Sequence, residues 1–258
     1  MLAQNTSFLA VNISKEVIVN IQKRDLEILF ALSKYGVFST GQIGSKYFMN
    51  VERSTVLRRL RILKTHGLIL NPSTLENGMK VWSVSKMGAE LIGAEVPFRY
   101  SNRNTALHDV TLSQLRQHLE TLITAKNWVS DMQFRRKLAQ TGELDSTVPD
   151  GMFNTDIFQE PTRVALELEL HPKAHQRYKK VFYDYKFHRE VTYIFYVVKH
   201  FSILKPVFKI WGNNVLREGR FYKQRIIGVV FQDLLEHGLE AKIHWPNGLS
   251  APLKKLFN

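Results

Sequence analysis

Residues 164–170 read Val-Ala-Leu-Glu-Leu-Glu-Leu, an apolar run in which two glutamates stand at alternate positions. Side chains of a β-strand alternate between the two faces of its sheet, so we predict that Glu167 and Glu169 share one face. A basic, helix-like segment and a near-continuous apolar run, residues 191–198, follow at once, which favours a central strand. The alternative is an amphipathic edge strand that turns both glutamates to solvent.

A Pro-Asp pair lies upstream of this run, at residues 149 and 150, and opens a second short apolar segment. If the two segments are neighbouring strands, Asp150, Glu167 and Glu169 come together. Carboxylate oxygens are the hard ligands that Mg²⁺ and Mn²⁺ prefer. The sequence therefore predicts one site in which these three residues hold Mg²⁺ or Mn²⁺ and activate water against a phosphodiester.

Charge is distributed unevenly around this predicted site. Residues 131–170 hold eight acidic and four basic side chains, whereas residues 171–225 hold thirteen basic and three acidic ones. A cluster of acidic side chains could bind a metal ion, and the basic segment that follows it could bind a phosphate backbone. Lys179 and Lys180, on the predicted helix, are the candidate second cation of the catalytic site.

The N-terminal part of the chain is predicted to be a winged helix-turn-helix domain, residues 22–95, preceded by a tail, residues 1–21. Apolar residues recur at helical spacing three times, and a hairpin pattern follows. The elements are a helix ending near Tyr35, a helix from Gly41 to Phe48 capped by Ser39 or Thr40, a helix capped by Asn50 and stopped by Gly67, and a hairpin from residues 68–70 and 80–84.

The third of these helices is the predicted DNA reader, because a helix that follows a short turn can lie in the major groove. Residues 22–70 carry nine basic and three acidic side chains. The candidate DNA-binding residues are Arg53, Ser54, Thr55, Arg58 and Arg59 on the helix and Lys80 on the hairpin. The alternative is a winged helix that docks a protein through a solvated basic face.

The remaining chain, residues 106–258, is predicted to be a second domain with a mixed central sheet, separated from the first by a linker at residues 93–105. It opens with a long helix, residues 106–125, and a polar loop is predicted to run up to Gly142. The other predicted elements are strands at 128–132, 149–153, 164–170, 191–198, 226–231 and, as the final edge, 241–245, with helices at 172–189 and 233–237. The predicted fold class is α+β.

Composition narrows the class of protein further. The formal charge of +13 and the pI of about 9.8 favour nucleic acid over a membrane surface as partner. The chain has no cysteine, which excludes disulfides, Cys-bound zinc and thiol nucleophiles. No signal peptide or membrane span is recognisable, so we expect a cytoplasmic protein.

Taken in order, these motifs resemble a known family. Pro149-Asp150, Glu167-x-Glu169 and the basic helix look like the PD-(D/E)xK restriction-endonuclease-like fold, although Glu169 stands where that fold usually has lysine. The longer order resembles the replication-relaxation family, which includes MobC-type relaxases, over about residues 22–200. Its further motifs are Leu107-His108-Asp109, Trp128-Val129-Ser130-Asp131 and Tyr178-Lys179-Lys180 with Tyr183.

The resemblance implies a nickase that cuts one DNA strand at the transfer or replication origin of a plasmid or other mobile element, alongside other mobilization or replication proteins. Its substrate would be double-stranded DNA, with room for a single-stranded portion. No His-hydrophobe-His cluster is present, which favours metal-activated water, while Tyr178, Tyr183 and Tyr185 leave attack by tyrosine open. A homodimer is compatible with the sequence, but no heptad pattern requires one.

The alternative to an enzyme is a non-enzymatic, DNA-binding regulator of replication or transcription whose nuclease-like domain is degenerate. The missing lysine at position 169 supports it. A late basic and aromatic segment, residues 205–225, is compatible with either function, since it could follow a phosphate backbone or stack an unpaired base.

Overall fold

A computed structural model describes residues 10–11, 19–95, 102–141, 147–185, 187–218 and 225–257. The chain divides into two units, residues 1–114 and 115–258. Helices and strands occur in both, so the predicted α+β class is confirmed at that level. None of the described helices combines the length and the apolar character that crossing a membrane demands.

The described part of the first unit contains a two-stranded ribbon, four short helices and a three-stranded antiparallel sheet. In chain order the elements are β1 (Ala10–Val11), β2 (Val19–Asn20), α1 (Lys23–Tyr35), β3 (Val37–Ser39), α2 (Thr40–Tyr47), α3 (Arg53–Thr65), β4 (Ile69–Thr74), β5 (Lys80–Val84) and α4 (Lys86–Leu91). The sheet order is β3-β5-β4. The three predicted helices and the hairpin β4–β5 are confirmed, whereas β3 was not predicted.

Apolar residues at helical spacing pack the three helices onto the hairpin. Leu29 and Leu32 of α1, Leu60 of α3 and Trp82 of β5 are fully buried in one cluster. Burying each such side chain contributes about 1.5–3 kcal/mol. This burial holds α3 in place and leaves its other face open.

The caps of α2 and α3 differ in how well the sequence predicted them. The predicted Ser39 cap of α2 is confirmed, because its hydroxyl accepts from the backbone N–H of Gln42. The predicted Asn50 cap of α3 is wrong, since the helix begins at Arg53 after Glu52. Asn50 instead has a positive φ of 61°, a conformation that asparagine tolerates, and lies in the turn before the helix.

Helix α5 (Ala106–Leu122) confirms the long helix predicted for this region, and the division between the units falls within it, after Gln114. Its N-terminal half belongs to the first unit and packs within it. The Ser113 hydroxyl donates to the Tyr35 carbonyl at 2.7 Å, and Val110 packs against Val37. Residues 96–101 of the predicted linker lie outside the described residues, so the predicted domain boundary stays a prediction.

The second unit is built on a mixed sheet of seven strands in the order β12-β11-β10-β9-β8-β7-β6. Its strands are β6 (Lys126–Ser130), β7 (Gly151–Ile157), β8 (Glu160–Glu169), β9 (Tyr193–Val198), β10 (Arg225–Val230), β11 (Lys242–His244) and β12 (Ser250–Pro252). Its further α-helices are α6 (Asp131–Thr141), α7 (His175–Tyr185), α8 (Leu204–Glu218) and α9 (Phe231–His237). Short 3₁₀ helices cover 201–203, 238–240 and 253–256.

Strand directions place β8 inside the sheet. It is antiparallel to β7 and parallel to β9, and β9 is parallel to β10. The prediction of a central strand is therefore confirmed, and the alternative of an edge strand with solvent-facing glutamates is wrong. The strand predicted at residues 241–245 is confirmed as β11, but its predicted position as the final edge is wrong, because β12 pairs outside it.

Two helices of the second unit were not predicted. Helix α6 occupies the predicted polar loop, because Ser130 and Gln133 cap it reciprocally: each side chain accepts from the other residue's backbone N–H. Helix α8 contains Pro206 as its third residue, where a missing N–H costs little since first-turn donors have no partner within the helix.

Candidate functional site

The site lies on the C-terminal half of β8, on the face that α7 and α8 cover. Glu167 and Glu169 are 4% and 5% exposed, and both point to this face, as the alternation predicted. Glu167 is paired in register with Tyr196 of β9. The inward residues of α7 are Tyr178, Phe182 and Tyr185, spaced to form one buried helix face. The two glutamates are therefore enclosed among aromatic side chains.

Asp150 joins them from the neighbouring strand. It stands immediately before β7, whose first residue, Gly151, pairs with Leu166 of β8. One carboxylate oxygen of Asp150 accepts from the backbone N–H of Leu168 at 2.7 Å. Since Leu168 separates Glu167 from Glu169, this bond places the third carboxylate against the segment that carries the other two. The structure brings the three predicted acidic residues together.

Each glutamate carboxylate also has a partner from the protein, a hydrogen bond for Glu167 and an ion pair for Glu169. The Tyr185 hydroxyl donates to Oε1 of Glu167 at 2.6 Å, and Nζ of Lys173 lies 2.8 Å from Oε2 of Glu169. The backbone N–H of Lys173 donates to the Tyr178 hydroxyl at 2.9 Å, which fixes the turn that carries this lysine. Helix α7 and the turn before it therefore supply the partners of the carboxylates.

Burial and mutual repulsion shape the protonation of this cluster. Burial raises the pKa of Glu167 to about 8, and the negative charge of Asp150 adds to the rise, while Lys173 and the Tyr185 hydrogen bond oppose it. Burial alone would lower the pKa of Lys173, but the charges of Glu167 and Glu169 outweigh it and raise that pKa. Glu167 is therefore protonated at neutral pH, and Lys173 is charged.

The hydroxyl of Tyr196 also belongs to this cluster. It is fully buried and has no hydrogen-bond partner among the described residues. Burial raises its pKa well above the usual value, and the charges of Glu167 and Glu169 raise it further, so the hydroxyl lies within electrostatic reach of both. A buried hydroxyl without a partner costs about 1–3 kcal/mol, which a bound polar ligand would offset.

The structure does not bring Lys179 and Lys180 to the carboxylates. Both are exposed on the outer face of α7, and Nζ of Lys180 forms an ion pair with Asp184 at 3.1 Å. The cation at the site is Lys173, which was not among the predicted site residues. The sequence does hold a signal for it, because Lys173 is the first lysine or arginine after Glu169, four residues downstream.

The donor chemistry of the cluster fits a hard divalent cation, since two buried glutamates and the half-buried Asp150 offer carboxylate oxygens close to one another. In the arrangement described here, however, the oxygens are shared with Leu168 N–H, Tyr185 and Lys173. Across the described ranges of the chain, no group of three or more His, Asp or Glu side chains is positioned to hold one metal ion. Metal binding at these residues stays a prediction.

The residues predicted to read DNA occupy two different environments. Arg53, Ser54, Thr55 and Arg58 are exposed on α3, as a DNA-contacting face requires, and Lys80 is half-buried at the start of β5. Arg59 instead turns inward: its guanidinium forms a bidentate ion pair with Asp25 and donates to the Asn20 carbonyl. Asp25 is fully buried, so the role of Arg59 visible here is to hold α3 against α1.

The late segment predicted to follow DNA is only partly described. Lys205 and Lys209 are exposed on α8, whereas Trp211 is buried in the core. Residues 219–224 and the side chain of Arg217 lie outside the described residues.

Comparison with known proteins adds little to this geometry. No model of a known protein family matches the chain, and no curated protein matches it either. A solved structure of a point mutant of Lactococcus lactis ZitR aligns with 54% of this chain and 85% of its own, at 17% sequence identity and a TM-score of 0.26. A likeness of this size supports no inference about fold or function.

Proposed function

We propose that the protein is a DNA nickase: a winged-helix domain binds double-stranded DNA, and a restriction-endonuclease-like domain cuts one strand with Mg²⁺ or Mn²⁺. The observation that carries the proposal is that the half-buried Asp150 meets the end of β8, where Glu167 and Glu169 are buried. The resemblance described above points to the transfer or replication origin of a plasmid or other mobile element as the place of action.

The first unit supports the DNA-binding part of the proposal. Three helices followed by the hairpin β4–β5 are the elements of a winged helix, and α3 follows a short turn after α2. Its exposed face carries Arg53 and Arg58 near the N-terminal end, where side chains can reach base edges in a major groove. The hairpin would serve as the wing, with Lys80 next to its tip.

The second unit supports the nuclease part through its element order. From α5 to β9 the unit has a helix, an antiparallel meander of three strands with helix α6 inserted between its first two strands, a crossover helix and a parallel strand. This is the order expected of a restriction-endonuclease-like core. The carboxylates lie where the second and third strands of the meander meet.

The charge balance of the cluster supports a catalytic role over a purely structural one. Three carboxylates and one lysine leave an excess of negative charge in the interior, and burying uncompensated charge is costly. Protonation of Glu167 relieves part of that excess. A divalent cation would relieve more, and when bound it would polarise a phosphodiester and lower the pKa of a coordinated water.

The surrounding side chains would then have defined tasks. Leu168 N–H fixes one oxygen of Asp150, and Tyr185 orients the carboxylate of Glu167. Lys173 would offset negative charge on the phosphate. The hydroxyls of Tyr178 and Tyr185 already contact Lys173 and Glu167, an arrangement that favours water over either tyrosine as the nucleophile.

The test is conversion of supercoiled plasmid to nicked circle in Mg²⁺ or Mn²⁺, with DNA affinity measured separately in EDTA. We expect nicking by the wild type, and its loss in Asp150→Asn and in Lys173→Ala without a change in duplex affinity. Glu160→Gln is the matched control, because Glu160 lies exposed at the other end of β8. Equal nicking by Asp150→Asn and Glu160→Gln would refute the catalytic assignment.

A second candidate function is the non-enzymatic DNA-binding regulator. The observation that favours it is that no three acidic or histidine side chains in the described ranges are placed to hold one ion. Tyrosine, lysine and backbone groups already contact the carboxylates. Under this alternative the cluster is a polar core. Tight duplex binding by a protein that leaves supercoiled plasmid closed in every divalent ion tested would establish it.

A further inference from the structure

The outer face of α7 carries two exposed aromatic rings. Tyr183 is 48% exposed and Phe187, just beyond the helix, is 66% exposed, and their ring centroids lie 5.7 Å apart at 69°. The aromatic side chains on the opposite face of the helix, Tyr178, Phe182 and Tyr185, are buried in the core. A pair left at the surface offers flat apolar area to a ligand from outside.

Two lysines flank this pair. Lys179 and Lys180 precede Tyr183 by four and three residues, so all three lie on the same side of the helix, and all are exposed. The acidic neighbours are Asp184, which binds Thr147 as well as Lys180, and Glu190 near the end of the segment. Residues 175–190 carry five basic and two acidic side chains in all, so the segment that bears these rings has a net positive charge.

We propose that this outer face of α7, formed by Lys179, Lys180, Tyr183 and Phe187, binds unpaired nucleotides of a DNA strand. Stacking of bases on aromatic rings, combined with lysines that follow the backbone, is how proteins hold single strands. A duplex keeps its bases stacked on each other and cannot offer their faces, so the chemistry selects an unpaired strand. The inference rests on the proposed function and specifies its substrate as DNA with a single-stranded portion.

The position of α7 links this surface to the carboxylates. Its inner face contacts the site through Tyr178 and Tyr185, while the stacking surface lies across the same helix. A helix with its side chains is about 10–12 Å wide, which corresponds to about three nucleotides at 3.4 Å each. A strand stacked on the outer face is therefore only a few nucleotides away from the buried acidic residues.

The experiment measures binding of the full chain, in EDTA, to a single-stranded oligonucleotide containing 2-aminopurine and to a blunt duplex. For Tyr183→Ala/Phe187→Ala we expect single-strand affinity to fall by about fivefold to a hundredfold for each stacked base, with duplex affinity unchanged. The quenching of 2-aminopurine fluorescence on binding should also decrease in this variant, because the base loses its aromatic stacking partner. Phe158→Ala/Phe201→Ala removes two exposed rings elsewhere in the unit and is the matched control.

The lysines are tested through salt dependence. Lys179→Ala/Lys180→Ala should reduce the slope of log affinity against log salt for the single strand by about 1.4, which is about 0.7 for each lost phosphate contact. Lys242→Ala/Lys255→Ala makes the same charge change at two other exposed lysines of the unit and should leave the slope unchanged.

Wild-type single-strand affinity in Tyr183→Ala/Phe187→Ala would overturn the proposal. Sedimentation gives a second outcome that would overturn it. If the wild type is a dimer and the variant is a monomer with unchanged single-strand affinity, the surface binds a second copy of the chain. Neither measurement depends on metal or cleavage. If the protein binds single strands through α7 but never nicks plasmid, the proposed nickase function is refuted and the single-strand binding surface is retained.

Discussion

Glu167→Gln is the substitution that most directly tests the electrostatics of the site. Glutamine has the shape of a protonated glutamate and keeps an oxygen that can accept from Tyr185. In the wild type the pKa of Glu167 is about 8 in the folded protein, against 4.5 for the group in an unfolded chain. Between these values the folded state holds a proton that the unfolded state has released.

The sign follows from that proton. Stability from the raised pKa is fully present below about pH 4.5 and is lost as pH rises through about 8. One proton corresponds to about 1.4 kcal/mol per pH unit, so from about pH 5.5 to about pH 7.5 the wild type should lose about 3 kcal/mol that the variant does not. Glu167→Gln should therefore become more stable relative to the wild type as pH rises.

Urea unfolding in EDTA, followed by tryptophan fluorescence, measures this difference, because Trp128, Trp211 and Trp245 lie in the second unit. Glu160→Gln is again the control for a charge removed from the same strand at an exposed position. Its stability should run parallel to that of the wild type. Parallel curves for Glu167→Gln as well would show that the cluster does not hold this carboxyl protonated, and the account of its burial would fail.

Three further substitutions test other parts of the structure. Arg59→Ala should destabilise the first unit by about 3–5 kcal/mol in urea unfolding, because it leaves the carboxylate of Asp25 buried without its partner. Arg58→Ala, on the exposed face of α3, should leave the unfolding midpoint unchanged and lower the salt slope of duplex binding by about 0.9. Gly151→Ala should lower the melting temperature, since its Cβ would lie 2.6 Å from the ring of Trp128 and the overlap costs about 1–3 kcal/mol; an unchanged melting temperature would contradict that packing.

The pattern of the sequence predicted the elements whose signal is local. Alternation in residues 164–170 gave the face shared by Glu167 and Glu169, and an unbroken apolar run identified β9. Helix α6 was missed because its sequence is polar, and only the Ser130–Gln133 cap marks its start. Short edge strands such as β12 bury little, so no periodicity marks them.

For the candidate site, the sequence could predict only which side chains share a face of a strand. Periodicity placed three carboxylates together, but it could not tell which lysine reaches them, because that depends on how α7 rotates about its own axis. Tyr178, Phe182 and Tyr185 bury the inner face, which turns Lys179 and Lys180 outward and leaves the turn at Lys173 beside Glu169. Arg59 was misjudged for a similar reason, since its partner Asp25 lies on a different helix.

The proton on Glu167 and a divalent cation compete for the same negative charge. A cation that binds all three carboxylates at neutral pH must displace that proton, so binding should release about one proton and tighten as pH rises toward about 8. Calorimetry in two buffers of different ionisation enthalpy counts the proton directly, without DNA and without cleavage. Release in the wild type that is absent in Glu167→Gln would place the cation on this carboxylate. Binding with no proton released would mean that the cation sits elsewhere and that the buried acidic residues serve only the fold.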